Sequence, residues 1–394
     1  MDWVTFANYS IAFISLFSVV FFLLLFLKYR KEMHTIPKSN GWEPTVSIII
    51  PAYNESEYIS DSLRSVLSLN YPKNKLEIIV VDDASTDNTL EIVKRFESSN
   101  VRVFTKKNAG KGAALNYGIA QATGEVVATM DADSYLKPDT LRNLLPLFDG
   151  DEVMAVTPAV KIKEGGGILK ELQRVEYMVI LFSRKVLSYI DAVPVTPGPF
   201  SIFRKKVFSI VGGFDERNLV EDQEIALRIQ AHNFKIRSSI DAEVITEPPL
   251  GMKDLILQRV RWQRGGIRNY WKYRSLISPT YGDFGMFFIP MNFVALIAFF
   301  LIFGIMIYSM VTAPYYTRYI WVDSFSMGID ILSIVAVFVV VSSILFTFVV
   351  VSAFKNEKVK LRYILGFSFF YWYLMVCYNL LTLWKEIRRE SFSW

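Results

Sequence analysis

The chain has 394 residues, 52% of them apolar or aromatic and 21% charged, which is more hydrophobic than an ordinary soluble domain. The 43 Lys and Arg outweigh the 38 Asp and Glu, and the excess flanks the apolar blocks, so it fits a membrane surface and implies no nucleic-acid partner. The single cysteine, Cys377, excludes a disulfide framework, and His34 and His232 as the only histidines argue against a His-rich metal site or a Ser-His-Asp triad.

Residues 11–27 form an uncharged run close to the ~20 residues that cross ~30 Å of hydrocarbon. No basic segment precedes it and no small-residue cleavage site follows, so a transmembrane helix is favoured over a signal peptide. Lys28, Arg30 and Lys31 come next and place the following domain on the cytoplasmic side by the positive-inside rule. Residues 1–40 are thus read as a transmembrane helix with a basic juxtamembrane segment, and 41–252 as a globular domain.

Within that domain, β-branched runs at 46–50, 76–81, 101–104 and 126–130 alternate with helical spacing at 58–69, 89–96 and 113–120, which predicts βαβ units and a mostly parallel sheet. Ligands of such sheets bind beyond the carboxyl ends of the strands. Those ends carry Tyr53 and Glu55, Asp82 and Asp83, and Asp131 and Asp133, which brings five carboxylates and one ring to a single edge.

Asp131 and Asp133 have the spacing to hold Mg2+ or Mn2+ through oxygen, and an Asp-rich turn is the plain alternative. Residues 108–112 place glycines and Lys111 before a helix expected from Ala113, where backbone N–H groups and a cation suit an anion; a flexible turn is the alternative. Neither a Walker A loop nor a dinucleotide fingerprint is present. Glu221 and Asp222 open another helix, as a general base for an acceptor hydroxyl or as solvated acids at a helix start.

Residues 253–274 hold seven Lys or Arg against one acid, with Ile256, Val260, Ile267 and Trp271 at helical spacing, so 253–280 is expected to be an amphipathic interfacial segment. Residues 281–394 contain three apolar runs, 285–310, 329–353 and 363–384, and a basic loop at 354–362. Four full crossings would leave Lys385, Arg388 and Arg389 outside, against the positive-inside rule, unless one late segment is kinked or interfacial.

In chain order, Asp83, Asp131-x-Asp133, Glu221-Asp222 and Gln258-x-x-Arg261-Trp262 resemble the motifs of processive family 2 glycosyltransferases, such as cellulose, hyaluronan, chitin and poly-N-acetylglucosamine synthases. The resemblance spans 46–274, and apolar helices on both sides are similar too. It implies a Rossmann-like GT-A α/β domain and an inverting transfer from a UDP-sugar, UDP-N-acetylglucosamine or UDP-glucose, aided by Mg2+ or Mn2+. It also implies a cell-membrane protein among lipids, with its catalytic domain in the cytoplasm and a growing polysaccharide as acceptor.

Carried over by resemblance, Asp83 is the uracil-binding aspartate, and Tyr53 with Glu55 lies in the loop beside the base. Lys111 lies near the nucleotide, Asp131 and Asp133 hold the donor and metal, and Asp222 is the base. Gln258, Arg261 and Trp262 hold the diphosphate and the acceptor end, where Glu221 and Gly198 also belong. A tight turn accounts equally for Gly198, and Gln173, Glu176 and Tyr177 share one helical face suited to substrate or to packing. A lipid acceptor, giving a glycolipid, and a non-catalytic nucleotide-binding membrane protein are the competing readings. The membrane part is smaller than in cellulose synthases, and the sequence specifies no oligomeric state.

Overall fold

The structure is a computed structural model that describes residues 3–37, 41–163, 165–312, 331–355, 357–388 and 390. The first strands match the sequence pattern within two residues at each end: β1 (Val46–Ala52), β2 (Leu76–Asp82), β3 (Val101–Thr105) and β4 (Val126–Thr129). They join β5 (Ser134–Leu136), β6 (Val153–Ile162), β7 (Ser201–Arg204) and β8 (Lys235–Thr246) in one sheet of order β3-β2-β1-β4-β7-β6-β8-β5. The β3-β2-β1-β4 half is parallel. Beyond it the sheet is mixed, because β7 runs antiparallel to both β4 and β6, and β5 antiparallel to β8. From β1 the chain first builds outward to β2 and β3 and then returns to the other side for β4, so the crevice between the ends of β1 and β4 is the switch point where ligands bind.

Both faces of the sheet are covered, which explains the unbroken Ile run in β1. Ile48 and Ile50 pack with α2 (Ile59–Leu67) and α3 (Thr89–Lys94), whereas Ile49 packs with α4 (Lys111–Gln121) on the opposite face. Short helices α5 (Thr140–Leu144) and α7 (Lys206–Val211) and the longer α8 (Glu221–Ala231) complete the two layers.

Two amphipathic helices, α6 (Ile168–Ser188) and α9 (Met252–Lys272), lie between the sheet and the apolar helices α1 (Trp3–Tyr29), α10 (Ile289–Thr312), α11 (Ile331–Ser352) and α12 (Leu361–Ile387). Among the described residues, Phe6–Tyr29, Phe284–Ile305 and Leu361–Ile387 are long and apolar enough to cross a membrane. The run expected at 329–353 forms α11, of which the apolar stretch Val337–Ser352 is shorter. Residues 329, 330 and Arg389 lie outside the described residues. Phe182 of α6 meets Phe26 of α1 at 5.3 Å and Phe346 of α11 at 5.8 Å between ring centroids, so the membrane helices root directly in the domain.

At Gly118 α4 packs tightly on the sheet, where a Cβ would come within 2.4 Å of Ile49 Cγ2. Gly118→Ala is therefore expected to cost about 1–3 kcal/mol through overpacking, read as a lowered unfolding midpoint of the purified protein.

Candidate active site

The β1 and β2 exits are knitted to each other. Asn54 and Ala84 both adopt left-handed backbone, at φ 57° and 61°, a conformation that costs non-glycine residues energy and marks over-determined functional turns. Asn54 offsets this cost because its side-chain oxygen accepts from the Thr86 N–H at 2.8 Å, while its own N–H donates to Ser85 Oγ at 3.0 Å. The Asp83 N–H donates to Ala52 O at 2.8 Å. The Asp83 carboxylate accepts from Gly110 N–H at 2.8 Å and from Lys106 Nζ at 2.6 Å, so it ties β2 to the loop ahead of α4. Tyr53 stands half exposed at the rim.

Lys111 is the first residue of α4, two positions earlier than the sequence suggests. Its Nζ lies 2.6 Å from Asp131 Oδ1 and 3.2 Å from Glu221 Oε1, joining the end of β4 to the start of α8. Gly198 leaves room beside them, because a Cβ there would meet Lys111 Nζ at 2.7 Å and Asp131 Oδ2 at 2.9 Å and displace the tips of those side chains. The Gly198 N–H points to Asp222 Oδ2 at 3.3 Å, and Thr196 donates through N–H and hydroxyl to the Asp222 carbonyl. Thus Lys111, Asp131, Gly198, Glu221 and Asp222, from four distant parts of the sequence, line one cleft.

Electrostatics sharpen the picture. Burial, then the neighbouring Glu221 carboxylate, pushes Asp222 up to about 6, against the pull of Lys111 and Arg261. Burial and then Asp131 push Asp133 up to about 6. Glu55 rises to about 7 through burial and then the charges of Asp133 and Asp131. Burial disfavours the charged form of Lys111, yet Asp131 and Glu221 outweigh it and hold the lysine protonated.

Among the described residues, no three His, Cys, Asp or Glu side chains form a ready-made metal cage. Asp131 and Asp133 together could supply two carboxylates to a hard divalent cation, the oxygen donors such an ion takes. The mutual crowding of Asp131, Asp133 and Glu55 is what a cation relieves.

The 253–274 segment forms α9, but the face it turns inward differs from the expected apolar one. Leu255, Arg259, Val260, Arg264 and Asn269 are buried, while Trp271 is exposed. Arg259, inside the Gln-x-x-Arg-Trp element but not singled out by it, donates from Nε to Glu176 Oε1 at 2.9 Å and lies 4.2 Å from the Trp262 ring centroid. Gln258 accepts from the same guanidinium. Gly265 lets α9 dock, since a Cβ would fall 2.3 Å from Val220 Cγ2, two residues before Asp222.

A cavity of about 250 Å³ opens beside Asp222 and is lined mainly by apolar side chains, with Tyr177, Arg184 and Trp262. Of the three residues on the α6 face, Tyr177 lines this cavity, Glu176 pairs with Arg259, and Gln173 donates to Pro249 O at 3.0 Å. Arg184 escapes sequence reading because its signal is burial: it is 3% exposed, and its Nη2 donates to Pro158 O at 2.9 Å. Lys106, the cation on Asp83, is likewise visible only once the loop is closed.

Residues 47–211 match the family model described as glycosyl transferase family 2. The chain is 33% identical over 234 residues to a poly-beta-1,6-N-acetyl-D-glucosamine synthase of Staphylococcus epidermidis, covering 57% of this chain and 56% of that protein. The same-named synthase of Staphylococcus aureus is 32% identical over 225 residues, covering 56% and 54%. The chain thus spans about half the length of the curated relatives it matches. A mannosyltransferase of Pyrobaculum calidifontis, solved with GDP-Man and Mn2+, superimposes with a TM-score of 0.65 at 18% identity, covering 90% of this chain and 99% of that one. That likeness establishes the GT-A fold.

The Glu176–Arg259 pair is nearly closed to water, with side chains 11% and 3% exposed. Glu176→Ala, which strands a buried guanidinium, is expected to cost about 3–5 kcal/mol, and the paired change Glu176→Met with Arg259→Met to restore most of that loss, both read as thermal unfolding midpoints.

Proposed function

Because residues 47–211 match the family model of glycosyl transferase family 2, we propose that the protein is an inverting membrane glycosyltransferase that extends a polysaccharide from a UDP-sugar, UDP-N-acetylglucosamine or UDP-glucose. The observation that carries this reading is the convergence of Lys111, Asp131, Glu221 and Asp222 at the switch point of the sheet. The polysaccharide synthases among its relatives support the choice of product.

In this reading Asp83 and Tyr53 flank the nucleotide base, and Lys111, at the start of α4, faces the diphosphate with Arg261. Asp131 and Asp133 would hold Mg2+ or Mn2+, which offsets the charge of the leaving diphosphate. Glu55 stands beside the donor site, and Gly198, Glu221, Gln258 and Trp262 frame the acceptor end. Asp222 takes the proton from the acceptor hydroxyl as that oxygen bonds to the anomeric carbon. The bond from that carbon to the diphosphate oxygen breaks on the opposite face, UDP leaves, and the centre is inverted. A raised pKa suits Asp222 to this role, since a base near the operating pH is the more effective. The apolar helices hold the protein in the cell membrane, and the basic residues after α1 favour a cytoplasmic catalytic domain.

The test is UDP release by the full-length protein in nanodiscs with Mg2+ or Mn2+, across a panel of UDP-sugars, followed by sizing of the product. One donor should be turned over into a large water-soluble product, and Asp222→Asn should lower turnover by roughly 10²–10⁴-fold. Label that follows an organic solvent would replace the polymer with a lipid acceptor. Turnover should rise as pH passes upward through about 6, because Asp222 accepts a proton only when ionised.

A further inference from the structure

We propose that α12, despite its length and apolar composition, does not cross the bilayer: it lies along the interface on the side of the sheet domain, with lipid as the partner of its exposed face. The proposal rests on the membrane reading of α1, α10 and α11 and is independent of sugar transfer.

Both ends of α12 are fastened to the same domain. Just ahead of its first turn, Glu357 pairs with Arg174 Nη2 at 2.5 Å and with Lys161 Nζ at 3.0 Å. At its other end, Glu386 accepts from Arg264 Nε at 2.6 Å and Arg268 Nη2 at 2.8 Å, and Arg264 also donates to Glu390 O at 2.9 Å. Between them, Gly366 lies against Leu172 of α6. The partners sit on β6, α6 and α9.

These supports themselves belong to the domain. Arg259 bonds Glu176 near the middle of α9, and at its end Asn269 donates to Gln223 Oε1 at 3.1 Å while Lys272 reaches Asp215 at 3.0 Å. A helix of 27 residues is about 40 Å long. A crossing helix separates its ends by ~30 Å of hydrocarbon and cannot present both to ion-pair partners on one side of the membrane.

The exposed residues of α12 keep to one broad side. Phe370, Tyr373, Cys377, Leu381, Trp384 and Ile387 recur at intervals of three and four with Phe369, Trp372 and Leu383 exposed beside them, whereas Ile364, Tyr371, Tyr378 and Thr382 are buried against the protein. A side rich in aromatic rings, with basic residues at its end, suits the headgroup boundary.

The assignment also removes the conflict in charge placement. His34, just past α1, bonds Asp241 of β8 at 2.8 Å and Ala353 O, just past α11, at 2.9 Å, so α1 and α11 both end at the domain. With α1, α10 and α11 as the crossings among the described residues, the basic clusters at 28–31, 354–362 and 385–388 share one side.

The native Cys377 supplies the probe. In the full-length protein reconstituted in liposomes, a nitroxide on Cys377 should sit at the same shallow depth, by oxygen and nickel-chelate collision, as one on Ile387→Cys in a Cys377→Ser background. A crossing helix would place Cys377 about 15 Å deeper than position 387. Independently, an impermeant maleimide should label Arg388→Cys from the same face that labels Lys94→Cys, both in the Cys377→Ser background. Labelling of the two from opposite faces, or the deeper Cys377, would overturn the proposal, whatever the turnover of sugar.

Discussion

One ammonium group holds the cleft together. Lys111 Nζ lies between Asp131, delivered by the end of β4, and Glu221, delivered by the start of α8. Glu221 is nearly closed to water, and the lysine offsets its charge together with that of Asp131. This set exists only when the two halves of the sheet meet. The position of Asp222 follows, because it is next in sequence to Glu221 and its backbone carbonyl is held by Thr196.

The same constraint explains two glycines. Gly198 leaves room for the lysine and its aspartate, and Gly265 leaves room for Val220 beneath α9. At Gly198 the missing side chain lets two charged groups meet, and at Gly265 it lets α9 close onto an aliphatic side chain beside Glu221 and Asp222. An alanine at either position would force apart the contacts that set the geometry of Asp222.

The parallel half of the fold was legible in the sequence because both-face burial makes β1 and β2 continuous apolar runs and the acids fall where those runs stop. The mixed half was not, since β7 is a four-residue strand whose partners, β4 and β6, are fixed by tertiary packing. At the site, Lys111, Asp131, Glu221 and Asp222 were found because they lie at strand ends or helix starts. Arg259 and Arg184 were missed because sequence counts an arginine on an amphipathic helix as surface charge. Their inward direction depends on Glu176 and on Pro158 O, neither of which a periodicity reveals. The shifted inward face of α9 has the same origin.

The membrane reaches the cleft through a short line of contacts. Phe26 of α1 and Phe346 of α11 pack on Phe182 of α6, and aromatic pairs of this kind each add about 0.5–1.5 kcal/mol beyond their burial. From the same helix Glu176 holds Arg259, which stacks on Trp262 at the cavity beside Asp222. The apolar helices therefore bear on α6, which also packs on β6 and β8, and through one buried ion pair on Trp262. The cleft is thus built from two sides, the sheet fixing the charges and α6 with α9 fixing the wall beside Asp222.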